Sequence, residues 1–521
     1  MVAGMEDGAV DIEAAVDATG SGWFGARALC AAGATYLACG VQWGLAAYIL
    51  PAARCELGLT SAQMGAANAL FMAGGMASAF VWGVLGDAWG RKPVIVSALL
   101  ADAAATLCSA LFARSYATLA TFRFLNGFLI GAPSSLALLG LCESVPGRVR
   151  ASFSLLLGGC WTASYLVLPA LAWLVLPQPW RWPLLAGGGL TITSWRVLLT
   201  LLAAPALLAA LLALRLPETP KYLVSRGRPE EALAVLRGMY AANTGRGAAE
   251  YPVRALAATL SLFRAPLLAR TAVVCALLSL NEFGYYGLVL WLPELFNRFD
   301  TYYDLHPEAA GSVTVCELSR TWAATATGGA AATAEEEAGC AAGEAINEAV
   351  FVETLTVSGV CLAAYVLAAP VAGRVGRRAL PFALHVASGV LAAGIYFVNS
   401  AASNLAVSSL FQALAATANT TVFAVMADTF PTRVSAVGCC CAIFSGRVSA
   451  AVSNLVMGAL LDTSCEVPIF LFSATLIGGG LLCVLVPPPW TGAASPGKDT
   501  DTLQLELEEA PPTSPGHLQV A

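Results

Sequence analysis

Long apolar runs are the sequence feature that most constrains this chain. Twelve predominantly apolar stretches of about twenty residues follow one another, and a run of that length is what a helix needs to cross a bilayer. The runs are continuous rather than alternating, which excludes a transmembrane β-barrel. We therefore predict an all-α membrane protein with twelve transmembrane helices, at about 28–50, 63–86, 92–113, 115–139, 151–176, 195–216, 269–296, 350–373, 379–398, 403–426, 434–461 and 467–487.

Composition supports this class of protein and excludes several others. Of the 521 residues, 58% are hydrophobic and only 12% are charged, whereas a soluble domain carries about 25% charged residues. The net charge is −6 and the basic residues are scattered, so we expect no nucleic-acid partner. The sequence contains no histidine cluster, phosphate loop or nucleophile elbow. It therefore predicts no enzyme, no cofactor and no metal site.

Lysine and arginine concentrate in alternate loops, which sets the predicted orientation in the membrane. Because basic loops face the cytoplasm, we expect both chain termini and the long central loop to be cytoplasmic. The predicted organisation is a disordered acidic tail at 1–27, a six-helix half at 28–216, the central loop at 217–268, a second half at 269–487 with an acidic outside loop at 297–349, and a disordered tail at 488–521.

Two loop patterns recur six spans apart. The stretch GVLGDAWGRK at 83–92 follows the second span, and the shorter VAGRVGRR at 371–378 follows the eighth. A second pair of patterns ends the fourth and tenth spans, with Glu143 and Arg148 in the first copy and Asp428 and Arg433 in the second. This repetition predicts two pseudo-symmetric six-helix halves.

The first loop resembles the loop signature of the major facilitator superfamily. Arg123 with its spaced glycines resembles the fourth helix of that superfamily, and LPETPKYL at 216–223 resembles a motif of its sugar-porter-like members. The resemblance implies a gate latch, in which an acid pairs near a helix end, glycines allow close approach, and basic residues pair with acids on the opposing face. The expected latch residues are Gly83, Asp87, Gly90, Arg91, Lys92, Glu143, Arg148, Glu218, Asp428 and Arg433.

A narrower resemblance is to the synaptic vesicle glycoprotein 2 and related-protein family. It rests on SWRV at 194–197 and FGYYGLVLWLP at 283–293, and the acidic loop at 297–349 stands where that family has its luminal domain. The resemblance covers about 25–490. It implies a multi-pass protein of a vesicle or plasma membrane with a major facilitator fold.

Ionisable residues inside a bilayer are costly, so each one is a functional candidate. Asp102 and Arg123 lie in neighbouring spans, where they can form a buried ion pair. Glu282 precedes the GYYG segment at 284–287, where a discontinuous helix would be able to gate, and it is a candidate for coupling or cation binding. Arg447 is a candidate for an anionic group of a solute.

The superfamily resemblance also implies which helices line a central cavity, namely the first, fourth, seventh and tenth. Related transporters often carry an acid in helix one for proton coupling, but Cys39 and Gln42 stand there in this chain. A thiol and an amide do not cycle protons near neutral pH as a carboxylate does. The polar and aromatic cavity candidates are Tyr36, Gln42, Asn126, Tyr285, Tyr286, Gln412 and Asn419.

Four of the fifteen cysteines fall in predicted outside segments, where a disulfide is chemically permitted. Cys316 and Cys340 share the acidic loop, which predicts a disulfide between them. Cys55 and Cys465 form a second, weaker candidate pair.

Three functional hypotheses follow. The first is a monomeric secondary transporter that moves a small organic solute across a lipid bilayer by alternating access, with a proton as an open choice of coupled ion. The second is a vesicle membrane protein with a transporter fold that acts mainly in binding or trafficking regulation. The third is a passive sugar-like facilitator, suggested by PETP at 217–220.

Overall fold

The structure is a computed structural model. Its described part contains two strands and eighteen α-helices. It describes residues 10, 12–59, 61–131, 133–183, 191–254, 266–289, 291–292, 295, 314–317, 348–372, 375, 378–427, 429–430, 435–460 and 464–486. The helices are α1 Ile12–Ala18, α2 Trp23–Gly44, α3 Ala46–Leu57, α4 Ser61–Trp89, α5 Arg91–Phe112, α6 Tyr116–Ile130, α7 Pro133–Ser144, α8 Gly147–Val175, α9 Ser194–Leu202, α10 Ala204–Leu214, α11 Pro220–Ser225, α12 Pro229–Thr244, α13 Pro266–Val289, α14 Glu348–Ala372, α15 Ala379–Gly394, α16 Ala401–Ala427, α17 Ser435–Leu460 and α18 Glu466–Leu482. Short 3-10 turns lie at Ala248–Glu250, Ile395–Phe397 and Cys483–Leu485.

Every predicted span coincides with a helix or a pair of consecutive helices. Within the described residues, ten helical segments are long and apolar enough to cross a membrane, and a pair bent by 43°, Ala66–Ser78 with Val81–Trp89, makes an eleventh candidate. The remaining predicted span contains the shorter apolar helix Cys441–Met457. The predicted fold class is therefore confirmed as a multi-pass helical membrane protein. One small addition is the antiparallel pair of strands β1, Arg181–Pro183, and β2, Thr191–Thr193, in register Trp182 to Ile192.

The helices pack in two groups that meet along a few helix pairs. In the first group α2 packs on α8, α4 on α6 and α5 on α10; in the second, α13 packs on α17 and α18, and α15 on α18. The groups meet where α8 contacts α14 and where α4 contacts α17. A site between the groups is therefore bounded by helices from both.

Glycine sets the close approach of α4 and α6. A Cβ added at Gly127 would overlap the backbone carbonyl of Phe71, and one added at Gly74 would overlap the carbonyl of Phe124. Only a residue without a side chain lets the two backbones touch in this way, as in other membrane helix pairs.

The described part of the N-terminal segment, residue 10 and residues 12–27, differs from the predicted disordered tail at 1–27, the rest of which lies outside the described residues. Helix α1 begins at Ile12, with Ala15 and Val16 fully buried, and the Tyr251 hydroxyl donates a hydrogen bond to the Ala15 carbonyl. Two of its acids, Glu13 and Asp17, bind partners in other elements. Asp17 Oδ1 accepts the Gly147 N–H at 2.8 Å and so satisfies a free donor at the start of α8.

Glu13 ties the same segment to the first helical group. Its carboxylate pairs with Lys221 and, at 3.1 Å, with Arg150. Burial acts to raise the pKa of Glu13, but the two cations outweigh it and hold that pKa below its ordinary value. The central loop contributes to this packing through α11 and α12, while the predicted tail 488–521 lies outside the described residues.

The disulfide differs from the predicted Cys316–Cys340 pair, and also from the weaker Cys55–Cys465 pair. Cys316 is bonded to Cys465, with a Cα–Cα distance of 5.4 Å, while Cys340 lies outside the described residues. Both bonded cysteines belong to the buried core of the second group, which also contains Leu292 and Leu295. The bond joins residues 314–317 to the start of α18, so closeness in space overrides closeness in sequence.

Helix α13 is continuous through the GYYG segment at 284–287, so the predicted helix break is wrong. The glycines serve helix packing instead. A Cβ at Gly284 would lie 2.5 Å from Leu476 Cγ, and one at Gly287 would lie 2.7 Å from the Phe472 ring. Neighbouring helices thus stabilise a glycine-containing helix that sequence alone marks as weak.

We predict that Gly127→Ala destabilises the protein by about 1–3 kcal/mol, because the added methyl group forces α4 and α6 apart. Thermal unfolding of the detergent-solubilised protein measures the change. Gly238→Ala is the control, since nothing lies within 4 Å of a Cβ on that helix position, and it should stabilise by about 0.5–1 kcal/mol. Equal stability of the two variants would contradict the close contact.

Candidate functional site

A cavity lies between the two helical groups. Its volume is about 70 Å³, smaller than the roughly 300–1,000 Å³ of typical small-molecule sites. The lining comes from α2, α7 and α8 on one side and from α13, α14, α16 and α17 on the other. Its central lining residues are Tyr36, Trp161, Glu282, Tyr285, Asn419 and Arg447.

Two opposite charges face this cavity without pairing to each other. Glu282 is 1% exposed, and its Oε2 has no hydrogen-bond partner among the described residues. The Arg447 guanidinium carbon lies 3.9 Å from the centre of the Trp43 ring, and its Nε is likewise unpartnered within the described chain. Arg447 is therefore held by an aromatic face, which leaves its N–H groups for another acceptor.

Aromatic rings continue the wall around these charges. Trp43 of α2 stacks on Tyr286 of α13, with ring centres 6.4 Å apart and planes 26° apart. Trp161 of α8 lies 6.2 Å from Trp43 and 6.1 Å from Tyr36. The aromatic contacts therefore cross the boundary between the two groups at the level of the cavity.

The sequence-predicted cavity residues divide into three sets. Tyr36, Tyr285, Tyr286 and Asn419 line the cavity together with the two charges. Gln42 and Asn126 lie instead in a buried network inside the first group, and Gln412 is not among the described residues that line the cavity. Sequence reasoning missed Trp161 and Tyr365. They lie on α8 and α14, the fifth and eighth predicted spans, rather than on the four spans expected to line the site.

The buried network corrects the predicted Asp102–Arg123 ion pair. Asp102 accepts hydrogen bonds from Gln42 Nε2 at 3.0 Å and from Asn126 Nδ2 at 2.7 Å, and both amides also reach Thr106. Arg123 donates to the backbone carbonyl of Gln42 at 3.3 Å, while its Nε and Nη1 have no partner in the described part of the chain. Gln42 of α2 therefore contacts both charges, Asp102 through its side-chain amide and Arg123 through its backbone carbonyl.

An aromatic contact chain joins this network to the cavity. The Arg123 guanidinium carbon lies 4.4 Å from the Phe71 ring centre, and Phe71 packs edge-to-face on Trp43 at 5.5 Å. The Trp43 ring in turn lies against the guanidinium group of Arg447. Because Gln42 and Trp43 are consecutive residues of α2, one segment of main chain serves both the network and the cavity.

The expected latch residues meet within the first helical group, where α4 ends and α5 begins. Arg91 Nη2 contacts Glu143 at 3.1 Å and Asp87 at 3.3 Å. Lys92 takes part through its backbone, since Glu218 accepts the N–H groups of Arg91 and Lys92, each at 3.2 Å. Glu218 thus caps the first turn of α5 from another segment. The two acids that Arg91 contacts, Asp87 of α4 and Glu143 of α7, both belong to the first helical group.

Gly90 is required for this cap. Its φ is +107°, and a Cβ there would overlap the Glu218 carboxylate. Burial raises the pKa of Glu218, although the N–H groups of Thr219, Lys92 and Arg91 act to lower it. Of the other expected latch residues, Gly83 is buried in α4 and Arg148 donates to Ser21 at 3.3 Å, while Asp428 and Arg433 lie outside the described residues.

A clamp at the opposite end of α5, which we call the outside clamp after the side predicted from the sequence, holds the start of α9 and explains the SWRV segment. Glu56 accepts hydrogen bonds from Trp195 Nε1 at 2.7 Å and from Arg196 Nη2 at 2.8 Å. Arg196 also donates to the carbonyls of Ala110 and Ala113 at the end of α5. Burial acts to raise the pKa of Glu56, but the hydrogen bonds from Arg196, Thr193 and Trp195 hold that pKa below its ordinary value.

The fold is that of the major facilitator superfamily. The structure matches a solved structure of a proton:xylose symporter bound to 6-bromo-6-deoxy-D-glucose with a TM-score of 0.65 and 16% identity, covering 90% of this chain and 97% of that chain. It also matches a partially occluded inward-open conformation of the xylose transporter from E. coli, with a TM-score of 0.57 and 16% identity, covering 91% of this chain and 100% of that one. At this level of identity the matches establish the fold alone.

Sequence comparison gives relatives within that fold. The family model "Sugar (and other) transporter" matches residues 31–283. The chain is 30% identical to the synaptic vesicle 2-related protein of Bos taurus over 56% of this chain and 50% of the relative. It is 27% identical to synaptic vesicle glycoprotein 2B of Mus musculus, over 46% and 35%. Organic anion transporter 3 of Oryctolagus cuniculus is 30% identical over 44% and 42%.

The matched regions span half or less of these curated relatives. The predicted resemblance to the synaptic vesicle glycoprotein 2 family is confirmed, on a major facilitator fold. These matched proteins are named as transporters and vesicle proteins, in agreement with the prediction that the chain is not an enzyme.

We predict that Glu56→Gln lowers stability at pH 7 by about 1–3 kcal/mol, because charge-assisted hydrogen bonds in the outside clamp are weakened. The folded-state pKa of Glu56 is lowered, so its contribution is present above the unfolded pKa of about 4.3 and is lost as pH falls through the folded value. Thermal unfolding between pH 3 and 7 should therefore show the two proteins converging at low pH. A gap that stays constant, or one that also develops in the exposed control Glu230→Gln, would contradict this assignment.

Proposed function

We propose that the protein is a secondary transporter that moves a small organic solute across a lipid bilayer by alternating access. The observation that carries the proposal is the cavity between the two helical groups, which contains the unpaired charges Glu282 and Arg447. Ionisable groups at such a depth are costly unless a ligand or a conformational change uses them. The names of the matched transporters support the same activity.

The proposed motion is rocking of the halves 28–216 and 269–487 about the cavity. The latch and the outside clamp both join elements of the first half, so they favour its movement as a unit. The contacts of α8 with α14 and of α4 with α17 are the surfaces that would open and close. We further propose a monomer with both termini in the cytoplasm, in a vesicle or plasma membrane.

We propose Asp102 as the group that couples transport to protons. It is fully buried, it is bonded by two neutral amides, and a buried arginine with unpartnered N–H groups lies on the other side of Gln42. A carboxylate in this position gains or loses one unit of charge beside Arg123 when it exchanges a proton. The acid missing from the first predicted span would thus be replaced by an acid on the third predicted span, which is α5.

A second candidate function is that of a vesicle membrane protein which uses the transporter fold for binding or trafficking regulation. The names of the synaptic vesicle relatives favour it, as does the presence of Cys39 and Gln42 in place of acids in helix one.

Uptake into proteoliposomes, measured over a panel of radiolabelled organic solutes, tests the transport proposal. We expect accumulation of at least one solute, and a decrease of about tenfold or more with Glu282→Gln or Arg447→Ala, because a lost charged contact is worth about 1.5–3 kcal/mol. The matched controls Glu230→Gln and Arg237→Ala lie on the exposed face of α12 and should keep wild-type flux. No flux for any solute would overturn transport and favour the second candidate.

The coupling proposal predicts a specific phenotype for Asp102→Asn. An asparagine preserves the shape of the network but no longer exchanges a proton, so solute exchange at equal pH should persist while accumulation driven by a pH gradient is lost. Counterflow and gradient-driven uptake in the same proteoliposomes measure the two activities. Undiminished gradient-driven accumulation in this variant would show that another group carries the proton.

A further inference from the structure

The cavity contains one acid and one base that form no salt bridge with each other within the described chain. Glu282 lies on α13 and Arg447 on α17, and no salt bridge joins them among the described residues. In a region of low dielectric constant each isolated charge is costly, and a counter-charge supplied by a ligand relieves that cost. The pair therefore favours a ligand that carries two opposite charges over a ligand that carries one.

Glu282 and Arg447 each pack against a different neighbour. The Arg447 guanidinium stacks on Trp43, and Trp43 is in turn held between Tyr286 and Phe71. The Glu282 carboxyl group rests against the neighbouring Gly446, where an added Cβ would lie 2.9 Å from Glu282 Cδ. The aromatic stack thus competes with Glu282 for the guanidinium and keeps both charged groups available.

The geometry of each charged group favours a different end of a ligand. The planar guanidinium has its face covered by Trp43, so its edge remains for a carboxylate, which it is able to bind through two parallel hydrogen bonds. The buried Oε2 of Glu282 lacks a donor, and an ammonium group supplies up to three.

The space between the charges is walled by aromatic rings. Tyr36, Trp161, Tyr285 and Tyr365 contribute rings to the lining, with Asn419 and Thr420 as polar members. Such rings offer apolar faces with hydrogen-bonding tips, and they pack well on a flat apolar body.

We propose that the cavity binds a zwitterionic organic solute of the amino-acid type, with its ammonium group on Glu282, its carboxylate on Arg447 and an aromatic side chain among the tyrosines. This inference rests on the proposed transport function and narrows its substrate class. Trp43 acts as a positioning residue, since it prevents Arg447 from collapsing onto Glu282.

Three probes with a common phenylethyl group test the charge requirement. L-Phenylalanine carries both charges, phenethylamine carries only the ammonium, and 3-phenylpropionate carries only the carboxylate. Isothermal titration of the purified full chain in nanodiscs should show L-phenylalanine binding at least about tenfold more tightly than either analogue, because each analogue leaves one protein charge without a partner.

Variants separate the two ends of the ligand. Glu282→Gln should weaken L-phenylalanine by about tenfold or more while leaving 3-phenylpropionate unchanged or tighter, and Arg447→Gln should do the reverse with phenethylamine. Trp43→Leu keeps both charges but removes the aromatic face, so it should weaken L-phenylalanine, and Trp43→Phe should restore much of the binding. Glu230→Gln is the control that should leave every affinity at the wild-type value.

Equal or tighter binding of either singly charged analogue would overturn the proposal, and so would the absence of binding by all three probes. The outcomes also separate it from the transport function. Uptake of another solute without L-phenylalanine binding would leave transport standing and reject the zwitterion site. Binding of L-phenylalanine with the predicted variant pattern, but without flux of any solute, would establish the site and reject transport.

Discussion

The cost of placing a charge inside a bilayer is the constraint on which this structure depends, and the two helical groups meet it differently. In the first group, Asp102 accepts hydrogen bonds from the amides of Gln42 and Asn126. In the second, Glu282 and Arg447 face a cavity, and Glu282 Oε2 and Arg447 Nε have no partner within the described chain. A buried carboxylate held by neutral amides is suited to the coupling role proposed for Asp102, whereas unsatisfied charged groups at a cavity are suited to binding a ligand.

The ends of the first group are fixed by contacts that reach across the sequence. At the start of α5, Glu218 caps the helix while Glu143 and Asp87 hold Arg91. At its other end, Glu56 and Arg196 tie α3, α5 and α9 together. Glu218 and Arg196 bind backbone N–H and C=O groups that the ends of α5 leave free, and the other contacts join side chains. Charged side chains therefore help both to terminate α5 and to hold its neighbours.

The sequence predicted the helices well because span length and apolar character are local properties. It also singled out Glu282 and Arg447, which line the cavity, since a charge in an apolar run is conspicuous. It failed where the outcome depended on which helices become neighbours. Gln42 proved to be the mediator between Asp102 and Arg123, Cys316 found Cys465 instead of its neighbour in the loop, and the GYYG segment at 284–287 remained helical against Phe472. In each case a distant element supplied the partner, and no local pattern records that.

The adjacency of Gln42 and Trp43 on α2 has a thermodynamic consequence. The first residue touches Asp102 and Arg123, and the second carries Arg447 at the cavity wall. A shift of this dipeptide changes both environments at once, so the free energy of events at one site must depend on the state of the other. Linkage of this kind is reciprocal: whatever the network does to the occupancy of the cavity, the occupant does equally to the network. Gln42 and Trp43 would then couple the free energy of ligand binding in the cavity to the free energy of changes in the Asp102 network.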